Sequence, residues 1–309
     1  MCRRSLLIFG ITGELGSRTA RLAVSAGHKV YGVSRGSNTR HRADLTGVEI
    51  ITGDKLDRDF LQNVCAKLPV DAVLDTVPSL DMINNIAEFF PQVKNVFLVS
   101  STGTFVPLRS LPADESHPWR EKNHVNFHGK VNNDTLALEL FKQGKLPVTI
   151  FRPTNIIGDG RIPLDLWGGR DVEFFRALKN SQPLTLPDCR EILLQSVCNW
   201  DLAQAMCKAL TADAEIRGEI FILSARYAIR LIDYLDIIKA ELNSQSVINW
   251  VDADEFQQEH PEHTGLKFLR EHMCFCIDKA CRMLNYQPEY TPEAGLRLSL
   301  KWCLDNQVF

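Results

Sequence analysis

The stretch Ser5-Leu-Leu-Ile-Phe-Gly10-Ile-Thr-Gly13-Glu-Leu-Gly16 decides the fold. Its apolar start has the length of a buried strand, and three glycines follow at once in the spacing GxxGxxG. Small residues at a strand-to-helix turn let the backbone approach a phosphate, and the helix that begins there offers unpaired N–H groups. The spacing differs from the GxGxxG fingerprint of dinucleotide sites, so the context of strand, turn and helix is what indicates a nucleotide site. A tight turn without a ligand is the alternative.

Outward from this turn, apolar runs of strand length alternate with amphipathic stretches of helix length. Six such runs precede a loop and a helical pattern: Leu6 to Phe9, Lys29 to Ser34, Val48 to Ile51, Val70 to Leu74, Val96 to Ser100 and Val148 to Phe151. Because each right-handed crossover lays its helix back on the sheet, the alternation predicts a parallel sheet with helices on both faces. The predicted fold class is α/β, a Rossmann-type doubly wound parallel sheet with a smaller carboxy-terminal substrate lobe.

The alternation of strand-like and helix-like stretches ends after Pro153, where a stretch rich in glycine and proline begins. Gly218 to Ser224 again has the character of a buried strand, so we expect the chain to return there to the first sheet. The sequence therefore predicts a nucleotide-binding domain of residues 1–153 plus about 196–235, and a substrate lobe of residues 154–195 plus 236–309.

Composition and charge argue against several classes of function. The 309 residues carry 35 basic and 38 acidic side chains, a formal net charge of −3, which gives no general attraction for nucleic acid or an anionic membrane. No apolar stretch approaches the roughly 18 residues of a spanning helix. Nine cysteines, an odd number in a long chain without a secretion signal, suit reduced thiols better than disulfides. We expect a cytoplasmic protein that binds neither nucleic acid nor membrane.

The end of the second predicted strand bears on which dinucleotide is bound. NAD sites usually place an acidic residue there to bind the ribose 2′-hydroxyl, whereas the sequence here is Gly32-Val-Ser34-Arg35. Arg35, with Ser34, Ser37 and Arg40, is suited to receive a 2′-phosphate through charge-assisted hydrogen bonds. The expected cofactor is therefore NADP(H), with NAD(H) as the second choice. The alternative role of Arg35 is that of a solvated loop arginine.

Further motifs, taken in order along the chain, resemble the extended short-chain dehydrogenase/reductases, the family of NAD-dependent epimerases and dehydratases. They are GITGELG at residues 10–16, GDKLD at 53–57, VSSTGTF at 99–105, FRPTNIIGDG at 151–160 and the closing segment from Cys276 to Trp302. In that order they resemble the family's glycine loop, adenine-contacting turn, active-site serine strand, sixth-strand turn and closing lobe. The resemblance therefore runs nearly end to end.

The family normally carries a Tyr-x-x-x-Lys pair on the helix after the serine strand, and the matching stretch here is Asn126-Phe-His-Gly-Lys130. The spacing is expected to put Asn126 and Lys130 on one helical face, where the resemblance implies that Lys130 holds the nicotinamide ribose. An amide does not titrate near neutrality, so Asn126 is expected to hydrogen-bond a substrate oxygen but not to transfer a proton. No register shift restores the motif, because no tyrosine occurs between Tyr31 and Tyr227.

Other side chains near this motif are candidates for contact with the substrate. Ser101 or Thr102 matches the family's hydroxyl that orients a substrate carbonyl, and a hydroxyl that closes a strand end is the alternative for both. His124 and His128 have suitable unperturbed pKa values, but two positions from Asn126 they point away from its helical face. Surface or packing roles are the simpler interpretation of both histidines. The predicted catalytic residues are Lys130, Ser101, Thr102 and Asn126.

The glycine loop and the resemblance together define the residues expected to bind the cofactor. They are Gly10, Thr12, Gly13, Glu14, Leu15, Gly16, Ser34, Arg35, Asp54, Lys55, Thr76, Val77, Pro78, Lys130, Pro153 and Asn155. No metal site is predicted, because the cysteines near His272 match no zinc spacing and are better explained as buried thiols. These cysteines are Cys274, Cys276 and Cys281.

Two functions remain open. The first is an NADP-dependent enzyme of atypical mechanism that reduces, epimerises or dehydrates a sugar-like or other small carbonyl substrate. Four arginines are candidates for contact with an anionic part of the substrate: Arg152, Arg161, Arg170 and Arg190. The second function, suggested by the missing tyrosine, is that of a catalytically inactive NADP-binding sensor, scaffold or regulator.

The resemblance also implies a homodimer through the helices around Ile83 to Phe90 and Val125 to Phe141. The alternative is that the apolar faces of these helices only cover the sheet.

Overall fold

The computed structural model describes residues 3–36, 44–121, 125–212 and 214–309. The strands are β1 (Ser5–Phe9), β2 (Lys29–Ser34), β3 (Val48–Thr52), β4 (Ala72–Asp75), β5 (Asn95–Val99), β6 (Val148–Pro153), β7 (Asn155–Ile157), β8 (Leu184–Pro187), β9 (Leu193–Leu194), β10 (Ser196–Cys198), β11 (Ile220–Leu223), β12 (Ile229–Arg230) and β13 (Ile248–Val251). The helices are α1 (Glu14–Ser25), α2 (Arg58–Asn63), α3 (Leu80–Phe89), α4 (His128–Lys142), α5 (Val172–Lys179), α6 (Asn199–Ala209), α7 (Leu231–Glu241), α8 (Ala253–Glu259), α9 (Leu266–Leu269), α10 (Asp278–Leu284) and α11 (Pro292–Asp305). Ser37, Arg40 and His124 lie outside the described residues.

The main sheet has seven strands in the order β11-β6-β5-β4-β1-β2-β3, and each neighbouring pair is parallel. The predicted fold class is therefore confirmed, including the return of the chain to the sheet, where β11 pairs with β6. The chain runs from β1 outward to β2 and β3, and then crosses to the other side of β1 to form β4. This reversal leaves a crevice at the carboxyl ends of β1 and β4, the usual ligand site of such sheets.

Strand β1 lies inside the main sheet, between β4 and β2, and its side chains are buried on both faces. Leu6 and Ile8 belong to one apolar cluster, with side chains of α1, α6 and α10, whereas Leu7 and Phe9 belong to a second cluster, with α3 and α4. Alternate residues of a strand point to opposite faces, so a continuous apolar run is what a doubly covered strand requires.

The second lobe has its own apolar cluster, which includes Phe174 of α5, Leu235 of α7 and Leu300 of α11. Three two-stranded sheets complete the architecture: β7 with β10 and β8 with β13 are parallel, and β9 with β12 is antiparallel. The helices of the lobe begin at capping residues, since the Asp171 carboxylate accepts the Glu173 N–H at 2.9 Å and Thr291 Oγ1 accepts the Ala294 N–H at 3.2 Å.

Two segments pack differently from the predicted domain boundaries. Ile277 and Leu284, assigned by sequence to the substrate lobe, are buried in the cluster of β1 and α1. Leu231 and Leu235, assigned to the nucleotide-binding domain, are buried in the cluster of the lobe. The difference arises because α10 packs against α6 and β11 of the first domain, whereas α7 packs against α11 of the lobe.

The apolar faces of α3 and α4 cover the sheet. Ile83, Ile86, Ala137 and Leu138 all lie in the buried cluster on that face. The homodimer stays a prediction. In the described ranges, no helix combines the length and the apolarity that a membrane crossing requires.

Candidate functional site

A cleft lies above the carboxyl ends of the sheet strands, at the reversal between β1 and β4. It consists of two cavities of about 630 and 430 Å³, which share Gly13, Thr76 and Val77 in their walls. The smaller cavity reaches Arg35 after β2, and the larger one reaches Lys130 on α4. The two cavities therefore offer one elongated site to a ligand that spans the sheet edge.

The glycine loop has the shape of a phosphate cradle. Gly10 has a φ of +85°, and a Cβ built on it would overlap Thr76 Oγ1. A Cβ on Gly16 would overlap the Gly10 carbonyl, which accepts the Gly13 N–H at 3.0 Å. Gly13 is the N-cap residue of α1, and no side chain caps this helix N-terminus. Because glycine keeps the loop bare and the helix dipole favours an anion, these residues fit a dinucleotide pyrophosphate.

Glu14 puts an acidic side chain at the first residue of α1, beside the cradle. Its Oε2 accepts a hydrogen bond from Arg161 Nη1 at 3.1 Å, and its Oε1 accepts one from Asn199 Nδ2 at 2.9 Å. The Glu14 side chain is only 11% exposed. The carboxylate is thus neutralised by Arg161 and oriented by Asn199, which limits its repulsion of a phosphate.

The smaller cavity contains the residues predicted to contact the adenosine part of the cofactor. Ser34 Oγ accepts the Gly36 N–H at 3.0 Å, and Arg35 is exposed at the cavity wall. Asp54 Oδ1 accepts the Leu56 N–H at 2.9 Å, which fixes the turn after β3. Arg35 therefore belongs to the exposed wall of the smaller cavity.

Asp75, at the end of β4, is a site residue that sequence reasoning missed. It is fully buried, and its Oδ1 accepts Lys55 Nζ at 2.7 Å and the Val77 N–H at 3.0 Å. Burial raises the pKa of Asp75, whereas Lys55 and the Val77 N–H oppose that rise. Lys55 also donates to the Val77 carbonyl at 2.5 Å, so the pair fixes the Thr76-Val77 wall shared by both cavities.

The larger cavity brings together five of the predicted residues, Ser101, Thr102, Lys130, Pro153 and Asn155. The two hydroxyls differ in what they already bind. Thr102 is buried and donates its Oγ1 hydrogen to the Pro153 carbonyl at 3.2 Å. Ser101 Oγ accepts the Gly103 N–H at 3.1 Å and keeps its own hydrogen for a ligand. The geometry therefore favours Ser101 as the hydroxyl that meets a substrate oxygen.

The expectation that Asn126 shares a helical face with Lys130 is wrong. Helix α4 begins only at His128, and Asn126 lies before it, 6% exposed, with Nδ2 donating to the Glu121 carbonyl at 2.7 Å. Phe127 lines the larger cavity instead, and Asn126 is absent from the described lining residues of both cavities. The physical reason is a contact with Gly103: its carbonyl accepts the Phe127 N–H at 3.2 Å, and its missing side chain leaves room for the Phe127 ring.

Lys130 lines the larger cavity from the first turn of α4. Its Nζ lies 3.5 Å from the Ser100 carbonyl, next to Ser101. Burial lowers the pKa of Lys130, and the negative charge of Asp134, one turn further along α4, opposes this shift. Asp134 itself is engaged by Arg152 and Ser100, so Lys130 has no dedicated carboxylate partner among the described hydrogen bonds.

The remaining predicted residues lie as follows. Gly10, Thr12, Glu14 and Leu15 line one or the other cavity, whereas Gly16 packs beneath Gly10. Pro78 lines neither cavity, and its carbonyl accepts Asn133 Nδ2 of α4 at 2.9 Å.

The four candidate arginines already have partners within the chain. Arg152 binds Asp134, Arg161 binds Glu14, and exposed Arg190 binds Asp188 at 2.7 Å. Arg170 donates to the Ile162 carbonyl, to Asn155 Oδ1 at 2.9 Å and to the Ile156 carbonyl at 3.2 Å. Burial, followed by the charge of Arg161, lowers the pKa of Arg170 to about 10.

His272 Nδ1 accepts the Leu193 N–H at 3.1 Å, and His272 forms no group of three possible metal ligands with the described cysteines nearby. Within the described ranges, the only group of three possible ligands with atoms within 4.8 Å of one another is His260, Glu262 and His263. None of these three lines the cleft as described.

Comparisons with known proteins agree with this geometry. Residues 6–90, from β1 into α3, match the model of the NAD dependent epimerase/dehydratase family. A comparison with curated proteins gave no match.

Several solved structures share the whole fold. An epimerase from Methanothermobacter thermautotrophicus is 19% identical with a TM-score of 0.77, over 99% of this chain and 94% of that one. The UDP-glucose 4-epimerase of Thermotoga maritima, solved with UDP-glucose, is 14% identical with a TM-score of 0.75, over 98% and 99%. The dTDP-glucose 4,6-dehydratase of Bacillus anthracis, solved with NAD, is 16% identical with a TM-score of 0.76, over 99% and 98%.

The chain therefore has the extended short-chain dehydrogenase/reductase fold throughout, and its residues 6–90 carry the sequence pattern of the NAD dependent epimerase/dehydratase family.

Proposed function

We propose that this protein is an NADP(H)-dependent oxidoreductase or epimerase-like enzyme that acts on a small carbonyl substrate by an atypical mechanism. The observation that carries the proposal is the pair of adjoining cavities, one with Arg35 and the glycine loop in its walls and the other with Ser101 and Lys130. The solved dehydratase that binds NAD has the same fold, which supports a dinucleotide in this cleft. A cytoplasmic location suits the described cysteines, which are free thiols.

The chain's own residues supply binding, orientation and a proton. The bound cofactor supplies hydride chemistry. Ser101 would donate its free hydroxyl hydrogen to the substrate oxygen. The Lys130 ammonium would donate to the nicotinamide ribose and to the same substrate oxygen. The ionisable groups that line the larger cavity, in the part of the chain described, are Glu14, Lys130, Arg161 and Arg170. Because Glu14 is paired with Arg161, and Arg170 has three acceptors, Lys130 is the group best suited to carry a proton.

Cofactor preference tests the proposal directly. Purified protein, freed of bound nucleotide, is titrated with NADPH and with NADH by calorimetry. We expect at least about tenfold tighter binding of NADPH, roughly 1.4 kcal/mol, and loss of this preference in Arg35→Asp, where a carboxylate would repel the 2′-phosphate. Arg226→Asp, a charge reversal at an exposed arginine away from the cleft walls, is the matched control. Equal affinities for the two nucleotides in the unmodified protein would contradict the preference, and no binding of either would remove the enzyme proposal.

Lys130→Met should weaken NADPH binding about tenfold, roughly 1.4 kcal/mol, because a charged donor to the ribose is lost. Lys142→Met, at the exposed last residue of the same helix, should bind NADPH like the unmodified protein. The same calorimetric titration measures both variants. If the two variants bind NADPH equally well, the ammonium of Lys130 does not contact the cofactor.

The absence of a tyrosine from the described cleft walls favours one second candidate, a cofactor-binding regulator without turnover. It requires NADPH binding with no consumption of NADPH across a panel of carbonyl compounds and nucleotide sugars, together with a partner whose affinity depends on the nucleotide. Measured turnover with any member of the panel would exclude it.

A further inference from the structure

The substrate end of the larger cavity is walled by apolar side chains. Phe127 precedes α4, and Phe268 belongs to α9; their ring centroids are 4.5 Å apart, at an interplanar angle of 41°. Leu194, Leu269 and half-buried Met273 line the same cavity. The aromatic pair thus joins the nucleotide-binding domain to the lobe across the cavity, and both rings contribute to its lining.

Three uncharged polar side chains of this cavity are already engaged by the protein. Thr102 donates to the Pro153 carbonyl at 3.2 Å, and Thr76 Oγ1 donates to the Phe9 carbonyl at 3.2 Å. Thr154 Oγ1 and Ser224 Oγ form a buried hydrogen bond of 2.7 Å.

Two further uncharged polar groups of the cavity are engaged as well. The amide of Asn155 donates to Ser196 Oγ at 3.0 Å and accepts from Arg170 at 2.9 Å. Ser100 Oγ donates to Asp134 at 2.7 Å. Next to each other in this cavity, Ser101 and Lys130 remain to donate to a substrate oxygen.

The two arginines of this cavity bond to polar groups of the protein. Arg161 meets Glu14 at the first residue of α1, where the pyrophosphate cradle is. Half-buried Arg170 donates to the carbonyls of Ile156 and Ile162 and to the amide oxygen of Asn155. A substrate diphosphate would find Arg161 beside the pyrophosphate cradle and Arg170 already bonded to three acceptors, and sugar hydroxyls against Phe127 and Phe268 would lose water without gaining partners.

We propose that the substrate is an uncharged aromatic carbonyl compound, and not a nucleotide sugar. This inference rests on the proposed function. The ring of the substrate packs against Phe127 and Phe268, and its oxygen lies between the Ser101 hydroxyl and the Lys130 ammonium. In the reducing direction the carbonyl carbon accepts a hydride from NADPH and the oxygen accepts a proton from Lys130, which regains one from water. The products are an alcohol and NADP⁺.

The test separates the substrate class from cofactor binding. The protein is first saturated with NADP⁺, which calorimetry verifies; failure at this step concerns the proposed function alone. The complex is then titrated with benzaldehyde and benzylacetone, and in parallel with UDP-glucose and dTDP-glucose. We expect the aromatic compounds to bind the complex, and the nucleotide sugars to bind at least tenfold more weakly. Stronger binding of either sugar, or no binding of either aromatic compound, would overturn the inference.

Two variants test whether the aromatic pair forms the binding wall. Phe268→Ala should weaken binding of the aromatic compounds about fivefold to tenfold and leave NADP⁺ affinity unchanged, and Phe268→Leu should lose less. Phe89→Ala on α3, where a half-buried ring is packed under Arg58 away from the cleft, is the matched control and should leave both affinities unchanged. Thermal unfolding of each variant verifies that it is folded. Unchanged aromatic affinity in folded Phe268→Ala would contradict the placement of the ring.

Discussion

Gly10→Ala should weaken the binding of both NADPH and NADH at least about a hundredfold, roughly 2.7 kcal/mol. A Cβ at this position would overlap Thr76 Oγ1, whose hydroxyl is fixed by the Phe9 carbonyl at 3.2 Å. Relief of the overlap requires Gly10 or Thr76 to move, and both line the cleft. The loop would therefore no longer offer its backbone at the distance that a pyrophosphate needs.

Gly27→Ala is the matched control for this substitution. Gly27 has a φ of +84°, nearly the same as the +85° of Gly10, so alanine costs both sites a similar backbone strain of about 1 kcal/mol. A Cβ on Gly27 meets nothing within 4 Å, and Gly27 lines neither cavity as described. Calorimetry and urea unfolding of both variants separate loss of binding from loss of stability. If Gly10→Ala binds nucleotide as Gly27→Ala does, the loop is a tight turn and not a cradle.

The sequence was most informative where local chemistry decides the structure. The run from Leu6 to Phe9 has to be buried on both faces, and a glycine at position 10 tolerates the left-handed turn that follows. Both features are short-range, so the central strand, the cradle and the helix after it were predictable. The same holds for Ile220 to Leu223, whose apolar run is long enough for only one strand.

The part of the cleft around Ser101 and Lys130 was harder to predict, because it depends on contacts between segments that are distant in the sequence. The start of α4 is set by Phe127, whose N–H and ring both meet Gly103, and nothing in the residues around Asn126 reveals that contact. The helical spacing from Asn126 to Lys130 was consequently misleading. Asp75 was missed for a similar reason: its partner Lys55 follows a different strand, and only the parallel arrangement of β3 and β4 in the sheet brings them together.

The second large effect concerns a buried ion pair that lies behind the part of the cleft with Ser101 and Lys130. Arg152 of β6 is fully buried, and its Nε and Nη2 donate to Asp134 Oδ2 at 3.0 and 2.8 Å. Ser100 Oγ donates to the same oxygen at 2.7 Å. The guanidinium lies 4.0 Å from the ring centre of Trp119 and 4.5 Å from that of Phe105. This cluster ties β6 and α4 to Ser100, the residue before Ser101.

Asp134→Ala should lower the free energy of unfolding by roughly 3–5 kcal/mol, because it leaves the Arg152 guanidinium buried among aromatic rings without its hydrogen-bonded carboxylate. Burial raises the pKa of Asp134, so the carboxylate is retained only through its partners, chiefly the charge of Arg152. Arg152 has no alternative acceptor at hand, since its Nη1 is buried without a hydrogen-bond partner among the described residues. Urea unfolding monitored by circular dichroism measures the loss.

The double variant Asp134→Leu with Arg152→Met removes both charges and fills the space with apolar atoms. It should recover most of the stability lost in Asp134→Ala, because replacing a whole buried pair is far less costly than orphaning one member. Arg190→Ala, which breaks the exposed pair with Asp188, should change the free energy of unfolding far less. If Asp134→Ala costs no more than Arg190→Ala, the buried pair does not stabilise the fold. If the double variant is stable and still binds NADPH, the pair serves stability alone, whereas a stable double variant with weakened NADPH binding would show that the pair also positions Lys130.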